Sequence, residues 1–371
     1  MKLNLKQLSF SVLFAVFGLP TFVFASGHDA HENHDEKAQH HVGPINTPEA
    51  IEEYKAHHLQ DSHDFTFFTD GTNGVHYGFP LPVILIDGGL HVFMSSKFHH
   101  GTEVVESKGN FYKIYHGKIY KTDALGTITY DAEHHPTNAK PIDLSITKNV
   151  VGILLTMALM LFMFIKLAKS YRKNALPRGF VRFLEPLVLY VRDDIAEPNL
   201  GHKTRKFLPY LLTIFFYIWI LNLLGMTPLG FNVTGNLAIT VALTLFTFFI
   251  VQFSANFDYW KHIFWMPGVP ILMKIILMPI EVLGIFTKPF SLLIRLFANM
   301  TAGHMVIMSL VALVILMKDQ FGAAGSISLS FVLSGFIFLI EFLVAFLQAF
   351  IFTMLSAVFI GLAVQEHHDD H

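Results

Sequence analysis

Lys288-Pro-Phe-Ser-Leu-Leu-Ile-Arg-Leu-Phe-Ala-Asn-Met-Thr-Ala-Gly-His304 lies within a segment, 271–317, that is otherwise almost wholly apolar. Arg295 stands near its middle. An arginine at the centre of a bilayer helix costs roughly 2.5–3.5 kcal/mol on insertion scales. Such residues face a partner or a water-filled path, and a structural ion pair inside a bundle is the plainer alternative. Asn299 follows Arg295 by four residues on the same helix face. A rise of about 1.5 Å per residue carries His304 about 13 Å further along. Lys288 and Glu281 precede Arg295 at seven-residue steps, which drift only about 20° each around a straight helix. One stripe of this helix is therefore polar and ionisable along its length, the pattern of a conduction path.

The rest of the chain suits a membrane setting. Of 371 residues, 53% are hydrophobic and 15% charged, and the mean hydropathy is +0.49. That composition allows several spans plus a water-soluble part. The absence of cysteine excludes disulfides, thiolate metal sites and thiol nucleophiles. A net charge of −2 gives no electrostatic case for nucleic acid. No Gly-x-x-x-x-Gly-Lys-Ser/Thr loop occurs, so the sequence carries no phosphate-cradling motif of that kind. Neither a cofactor nor a metal ligand set is expected in the spans.

Residues 1–25 read as a signal peptide: Lys2 and Lys6 precede an apolar run, and Val-Phe-Ala25 precedes Ser26. An uncleaved anchor helix is the alternative. Residues 26–64 are expected to be disordered, with the His-rich tract 28–41 at their start. Fifteen of the 21 histidines lie between His28 and His135. Metal binding is the sharper reading of that tract, and a soluble proton-buffering segment the blander one. From 65 to 145 the texture becomes β-rich, with short runs at 65–69, 83–87, 91–94 and 111–115. Gly88-Gly89 and His116-Gly117 act as turns, and 117–120 forms the far arm of a hairpin.

The membrane part, 146–371, carries apolar runs at 150–165, 207–229 and 237–253, with the last two forming a hairpin through Pro228, Gly230 and Gly235. Lys166, Lys169, Arg172, Lys173, Arg178, Arg182, Arg192, Lys203, Arg205 and Lys206 crowd the loop after the first run. This marks the cytoplasmic side and leaves 26–145 outside. Within that loop, 179–194 alternates Phe180, Phe183, Leu187 and Val191 with Arg182, Glu185 and Arg192. An amphipathic helix on the membrane surface is expected, a peripheral soluble helix being the alternative. Two further stretches, 268–317 and 331–364, would run about 75 and 50 Å as helices. The hydrocarbon core is only about 30 Å thick, so both must incline, curve or kink, with Pro279 and Pro289 as natural kink points. A loop at 321–330 is expected to join them. The fold class is thus an all-α polytopic membrane protein of five membrane helices, two of them long and steeply tilted. One amphipathic surface helix and a small exported β-rich extension complete it.

With Gln348 taken as level with Arg295, Glu341 lies about 10 Å and His304 about 13 Å toward the outside. They become neighbours there, an acceptor and donor for protons, a buried salt bridge being the alternative. Glu281 falls about four turns before Arg295, on the cytoplasmic side.

The stretch 288–304 resembles the signature of subunit a of F-type ATP synthases, and the resemblance covers roughly 145–366. It implies a stator subunit whose two long helices wrap a ring of c subunits nearly parallel to the membrane plane. It also implies a peripheral stalk subunit b and a place in a bacterial inner membrane, with the C-terminus cytoplasmic. Arg295 would face each c-subunit carboxylate. His304 and Glu341 would occupy positions where the family carries either order of Glu and His, here the order of mitochondrial members. Asn299 and Gln348 would stand at the inner end of the outer half-channel, with Gln348 orienting the guanidinium. Glu281 would serve the exit, with Ser291 lining it. Lys288 reads as a cytoplasmic-side anchor. Asn222, in a run similar to the family's Asn-Leu-x-Gly-x-x-Pro, reads as an interhelical hydrogen bonder. The acidic residues that some bacterial members carry nearby are replaced around Gly225 and Gly230. A secondary transporter with a His-rich collecting domain would need ligands within the spans and a repeated architecture; the spans have neither. A membrane-anchored binding module leaves the striped helices without a purpose.

Overall fold

The change of sequence texture at Ser145–Lys148 marks a change of architecture in the computed structural model: short strands before it and long helices after it. The structure describes residues 61–70, 75–131, 135–173, 179–227, 231–266 and 269–365. The signal-peptide reading of 1–25 and the His-rich tract 28–41 lie outside them.

The extension holds strands β1 (Asp64–Asp70), β2 (Val75–Pro80), β3 (Pro82–Ile86), β4 (Leu90–Met94), β5 (Val105–Ser107), β6 (Asn110–Tyr115), β7 (Lys118–Thr122) and β8 (Ile142–Asp143). They form three small antiparallel sheets, ordered β1-β2, β4-β3-β8 and β5-β6-β7. The apolar runs anticipated from sequence fall on β1, β3, β4, β6 and β7; β2, β5 and β8 carry no comparable signal. Gly88 and Gly117 turn the two hairpins with φ of 65° and 72°, a region that a glycine enters without a Cβ penalty. Alternate residues on the strands, Val83, Leu85, Phe93, Tyr112 and Ile119, meet Phe98 in a small core.

This extension is sewn to the helical part. Asp61 accepts hydrogen bonds from the Thr147 hydroxyl (2.9 Å) and from the Asn149 N–H (3.1 Å) at the start of the first helix. These bonds satisfy a donor that the helix leaves open. His63 Nε2 meets Asp143 at 2.9 Å. Burial raises the Asp143 carboxyl, but its bonds to His63 and Ser145 outweigh burial and hold it below its ordinary value. Phe65 and Leu81 enter the main core of the helices, with the Phe65 ring 5.4 Å from that of Phe231.

The helices are α1 (Lys148–Lys173), α2 (Phe180–Tyr190), α3 (Glu197–Leu200), α4 (Thr204–Gly225), α5 (Leu237–Ser254), α6 (Phe257–Phe264), α7 (Ile271–Leu316) and α8 (Lys318–Val364). Helix α4 is the hub, with Leu211, Phe215, Phe216, Ile218 and Leu221 almost wholly buried. Among the described residues, four helical stretches are long and apolar enough to cross a membrane: Lys148–Arg172, Val181–Gly225, Leu237–Ser254 and Gly325–Val364. The fifth expected span, α7, is not among them; it is 46 residues long and carries Lys274, Glu281, Lys288 and Arg295.

Two expectations change. The surface helix expected over 179–194 is two-faced only through α2, where Phe183 is exposed while Val181 and Leu184 are buried. From Val191 to Ala196 the chain winds as a π-helix. The wider turn swings Val191, Ile195 and Ala196 into the core instead of along the surface. The loop expected over 321–330 is helical: α8 begins one residue past the end of α7. Gly322, at φ 68° and ψ 168°, takes up the bend by itself, so the helix resumes at once. Pro279 and Pro289 lie inside α7, which runs through both.

The end of α8 is held by its last carbonyls. Val364 O accepts from Lys203 Nζ (2.7 Å) and Asn256 Nδ2 (3.0 Å), and Ala363 O from the Asn256 N–H (2.8 Å). Gly361 packs so closely on the α3 backbone that a Cβ there would run into the carbonyl of Asn199. Backbone cannot swing aside as a side-chain tip can. Gly361→Val is expected to destabilise the fold by roughly 1–3 kcal/mol, read as a lowered midpoint of thermal unfolding in detergent.

Candidate functional site

Helices α7 and α8 run side by side in opposite directions, and four contacts fix their register. Ser330 donates to Leu310 O at 2.6 Å. Next, Glu341 stands over Gly303, whose missing Cβ would lie 2.6 Å from Glu341 Oε1. A turn or so further, Asn299 Nδ2 donates to Gln348 Oε1 at 2.8 Å. Lys288 Nζ then lies 5.4 Å from the centre of the Phe359 ring. Gln348 is therefore level with Asn299, one turn beyond Arg295, and the expected contact between Gln348 and the guanidinium is replaced by the amide pair. The reason is steric: the missing Cβ of Gly303 lets the Glu341 carboxyl approach the α7 backbone closely, and that contact sets the axial offset of the two helices.

A cleft of about 410 Å³ opens at this level, lined by Asn222, Asn299, Gly303, His304, Glu341 and Gln348 with Met226 and Met300. Expected neighbours His304 and Glu341 thus share one cavity. No ion pair joins them, so the salt-bridge alternative is not what the structure contains. Among the described residues, buried His304 Nε2 and Glu341 Oε1 each lack a hydrogen-bond partner. Unsatisfied donors and acceptors in a polar cavity suit water or a moving proton.

A second cleft, also about 410 Å³, lies on the other side of Arg295. It is lined by Thr244, Thr247, Gln252, Tyr259, Lys288 and Phe359 among others. Leu292 belongs to the wall of the second cleft and Leu296 to that of the first, and both side chains are buried (2% and 1% exposed). Arg295 stands between them, half-buried, and among the described residues it makes no hydrogen bond or ion pair. Ile285 and His304 bound the α7 walls of the two clefts, nineteen residues apart on one helix and so about 29 Å.

Of the residues expected on the inner side, Ser291 is exposed and Glu281 half-buried, and neither lines the second cleft. Glu281 is still close enough to Tyr259 for its charge to act on the phenol. Lys288, expected as an anchor, does line it. Sequence reasoning passed over Gly303 and Met300; the signal available was a glycine directly beside an ionisable residue. Asn222 accepts from the Thr234 hydroxyl at 3.0 Å, a bond to the turn that leads into α5 in place of the helix-to-helix bond expected of it. Gly225 abuts the Met300 methyl, so no side chain fits there unless Met300 moves. Gly230 lies outside the described residues.

The architecture is that of a polytopic helical membrane protein with a divided polar path along one long helix. Residues 150–361 match the family model of the ATP synthase A chain, and residues 54–144 match a domain of unknown function, DUF8433. Among curated relatives, "ATP synthase subunit a 2" of Chlorobaculum tepidum is 47% identical over 62% of this chain and 66% of its own length. "ATP synthase subunit a" of Chloroherpeton thalassium is 44% identical over 62% and 69%. "ATP synthase subunit a 2" of Prosthecochloris aestuarii is 45% identical over 62% and 71%. The chain belongs to the ATP synthase A chain family.

The Asn299–Gln348 pair is open to direct test. Asn299→Ala leaves the buried Gln348 oxygen without its donor, at an expected cost of roughly 1–3 kcal/mol. Gln348→Leu, which removes the orphaned group as well, is expected to recover part of that loss. Thermal unfolding of the two single variants and the double variant checks the coupling.

Proposed function

We propose that this chain is the stationary, proton-translocating subunit of an F-type ATP synthase membrane sector. Its partners on this reading are a ring of c subunits, a peripheral stalk containing subunit b, the remaining synthase subunits and the lipid bilayer. Residues 146–371 form the membrane subunit and 65–145 an extension on the outer face. The positive loop after α1 puts the C-terminus in the cytoplasm of a bacterial cell whose inner membrane holds the complex.

The observation that carries the proposal is the pair of separate clefts on either side of Arg295. Protons from outside enter the first cleft, pass His304 and Glu341, and reach its inner end at Asn299 and Gln348. From there they neutralise a carboxylate of a c subunit, which then moves off into lipid as the ring turns. After nearly a full turn the proton leaves on the cytoplasmic side, past Glu281, with Ser291 along the exit and Lys288 at the second cleft. Arg295 remains protonated at any working pH. Its charge favours the ionised c-subunit carboxylate and so aids release of the proton. The same charge repels a cation that would cross directly from one cleft to the other, and Leu292 and Leu296 close the gap to water. Exposed apolar side chains along α7 and α8, among them Phe290, Ile294, Phe336 and Leu343, suit a lateral surface covered by lipid or by the ring. The driving force is about 2.3 kcal/mol per charge per 100 mV.

Arg295→Ala in the assembled complex is expected to abolish ATP-driven proton pumping into membrane vesicles, read with a pH-sensitive dye; pumping at the unmodified rate would overturn the reading. Glu341→Gln, which keeps the shape but not the charge, is expected to slow pumping at least tenfold, within the range lost with a general acid or base.

A further inference from the structure

The second cleft differs from the first in the polar groups on its wall. Among the described residues, that wall holds no carboxyl and no imidazole. Its polar groups are the Thr244 and Thr247 hydroxyls and the Gln252 amide of α5, the Tyr259 phenol of α6 and the Lys288 ammonium of α7. Both threonines are buried, yet their hydroxyls are placed differently. Thr247 accepts from the Tyr210 hydroxyl at 2.8 Å and donates to Leu243 O at 3.2 Å. Thr156, Thr213 and Ser356 likewise bond the carbonyl four residues back, the usual resting place for such a hydroxyl inside a helix. Among the described residues, the buried Thr244 hydroxyl makes no hydrogen bond, and neither does the buried Gln252 carbonyl oxygen. The first can donate and accept and the second can accept, and both belong to the wall of one cavity.

These two groups stand at different depths. Gln252 lies two residues before Ser254, the end of α5. Just beyond, Asn256 bonds the last carbonyls of α8, which ties the start of α6, and with it Tyr259, to the same end of the bundle. Thr244 is eight residues deeper on α5, about 12 Å along its axis. On α7 the wall reaches Leu292, three residues or about 4.5 Å of helix short of Arg295. A cavity with room for water and with unsatisfied buried polar groups on its wall is a hydrated one. We propose that the second cleft holds water from Thr244 to its mouth at Gln252 and Tyr259, and that protons on the inner half of the path travel on this water. The inference rests on the proton-translocating reading above. With neither carboxyl nor imidazole in the wall, water is the carrier left. Each hop breaks one O–H bond and makes another on the next molecule, so no side chain changes charge and no co-reactant is consumed. Thr244, Gln252 and Tyr259 are thus positioning residues that hold the water and take no proton themselves.

The chain contains no cysteine, so an introduced thiol is the only one in it. Inside-out membrane vesicles carrying the whole synthase are treated with silver ion, which attacks thiols that water reaches, and ATP-driven pumping is followed with a pH-sensitive dye. Thr244→Cys and Gln252→Cys are expected to lose pumping about tenfold faster than Phe249→Cys, because a thiol in apolar surroundings keeps its proton and reacts slowly. Phe249 is the control, exposed on α5 and part of neither cleft wall. Thr244→Val keeps the shape and removes the hydroxyl. Since that hydroxyl bonds nothing in the protein, its loss is expected to leave the thermal midpoint unchanged or raised. Pumping is nonetheless expected to fall roughly three- to tenfold, as for one lost hydrogen bond to the water, and Thr244→Ser restores it. A structural role would instead lower the midpoint and the pumping together, and that result overturns the proposal. So does Thr244→Val pumping at the unmodified rate, or Thr244→Cys no more sensitive to silver than Phe249→Cys. Beside an Arg295→Ala complex that pumps nothing, those results leave the half-path reading standing. Pumping by Arg295→Ala overturns that reading and this proposal with it. Where the Thr244 variants fail to assemble, Gln252→Cys and Gln252→Leu decide the matter by the same two measurements.

Discussion

Arg295 cannot relieve its burial by losing a proton, since a guanidinium stays charged at any working pH. A helix that carries such a group through an apolar segment needs polar surroundings for it, and the arrangement of α7 against α8 follows from that need. Asn299, His304, Glu341 and Gln348 line one cleft and Lys288 the other, with Arg295 between the buried Leu292 and Leu296 in sequence. Were the clefts continuous, the same helices would form a simple pore.

The register of α7 on α8 rests on small residues. Gly303 admits the Glu341 carboxyl, and Gly225 admits the Met300 methyl. The first approach fixes the sliding of α7 along α8 and the second seats α7 on α4, where apolar contacts alone would leave sliding nearly free because any one-turn shift offers similar packing. Once the register is fixed, Asn299 meets Gln348, and the imidazole and carboxyl share a wall. The hub helix α4 and the carbonyl anchors at Val364 hold α8 in place from behind.

The extension is more than a neighbour of the membrane part. Phe65 and Leu81 share the helical core, and the polar seam at Asp61, His63, Asp143 and Lys148 joins strands to helix.

Much of this was legible from residues alone. A polar stripe at seven-residue steps on an otherwise apolar helix announced a membrane path, and the alternation of apolar residues announced five of the eight strands. Periodicity of this kind reports which face of an element is buried, because burial is local to the face. It does not report axial offset. The placement of Gln348 against Asn299, the bend at Gly322 and the inward swing at Val191 therefore came only from the tertiary structure. Asp61 is the sharpest case: a lone carboxylate in a polar stretch carries no period. Its partner Asn149 lies 88 residues away, and only folding decides that the two meet.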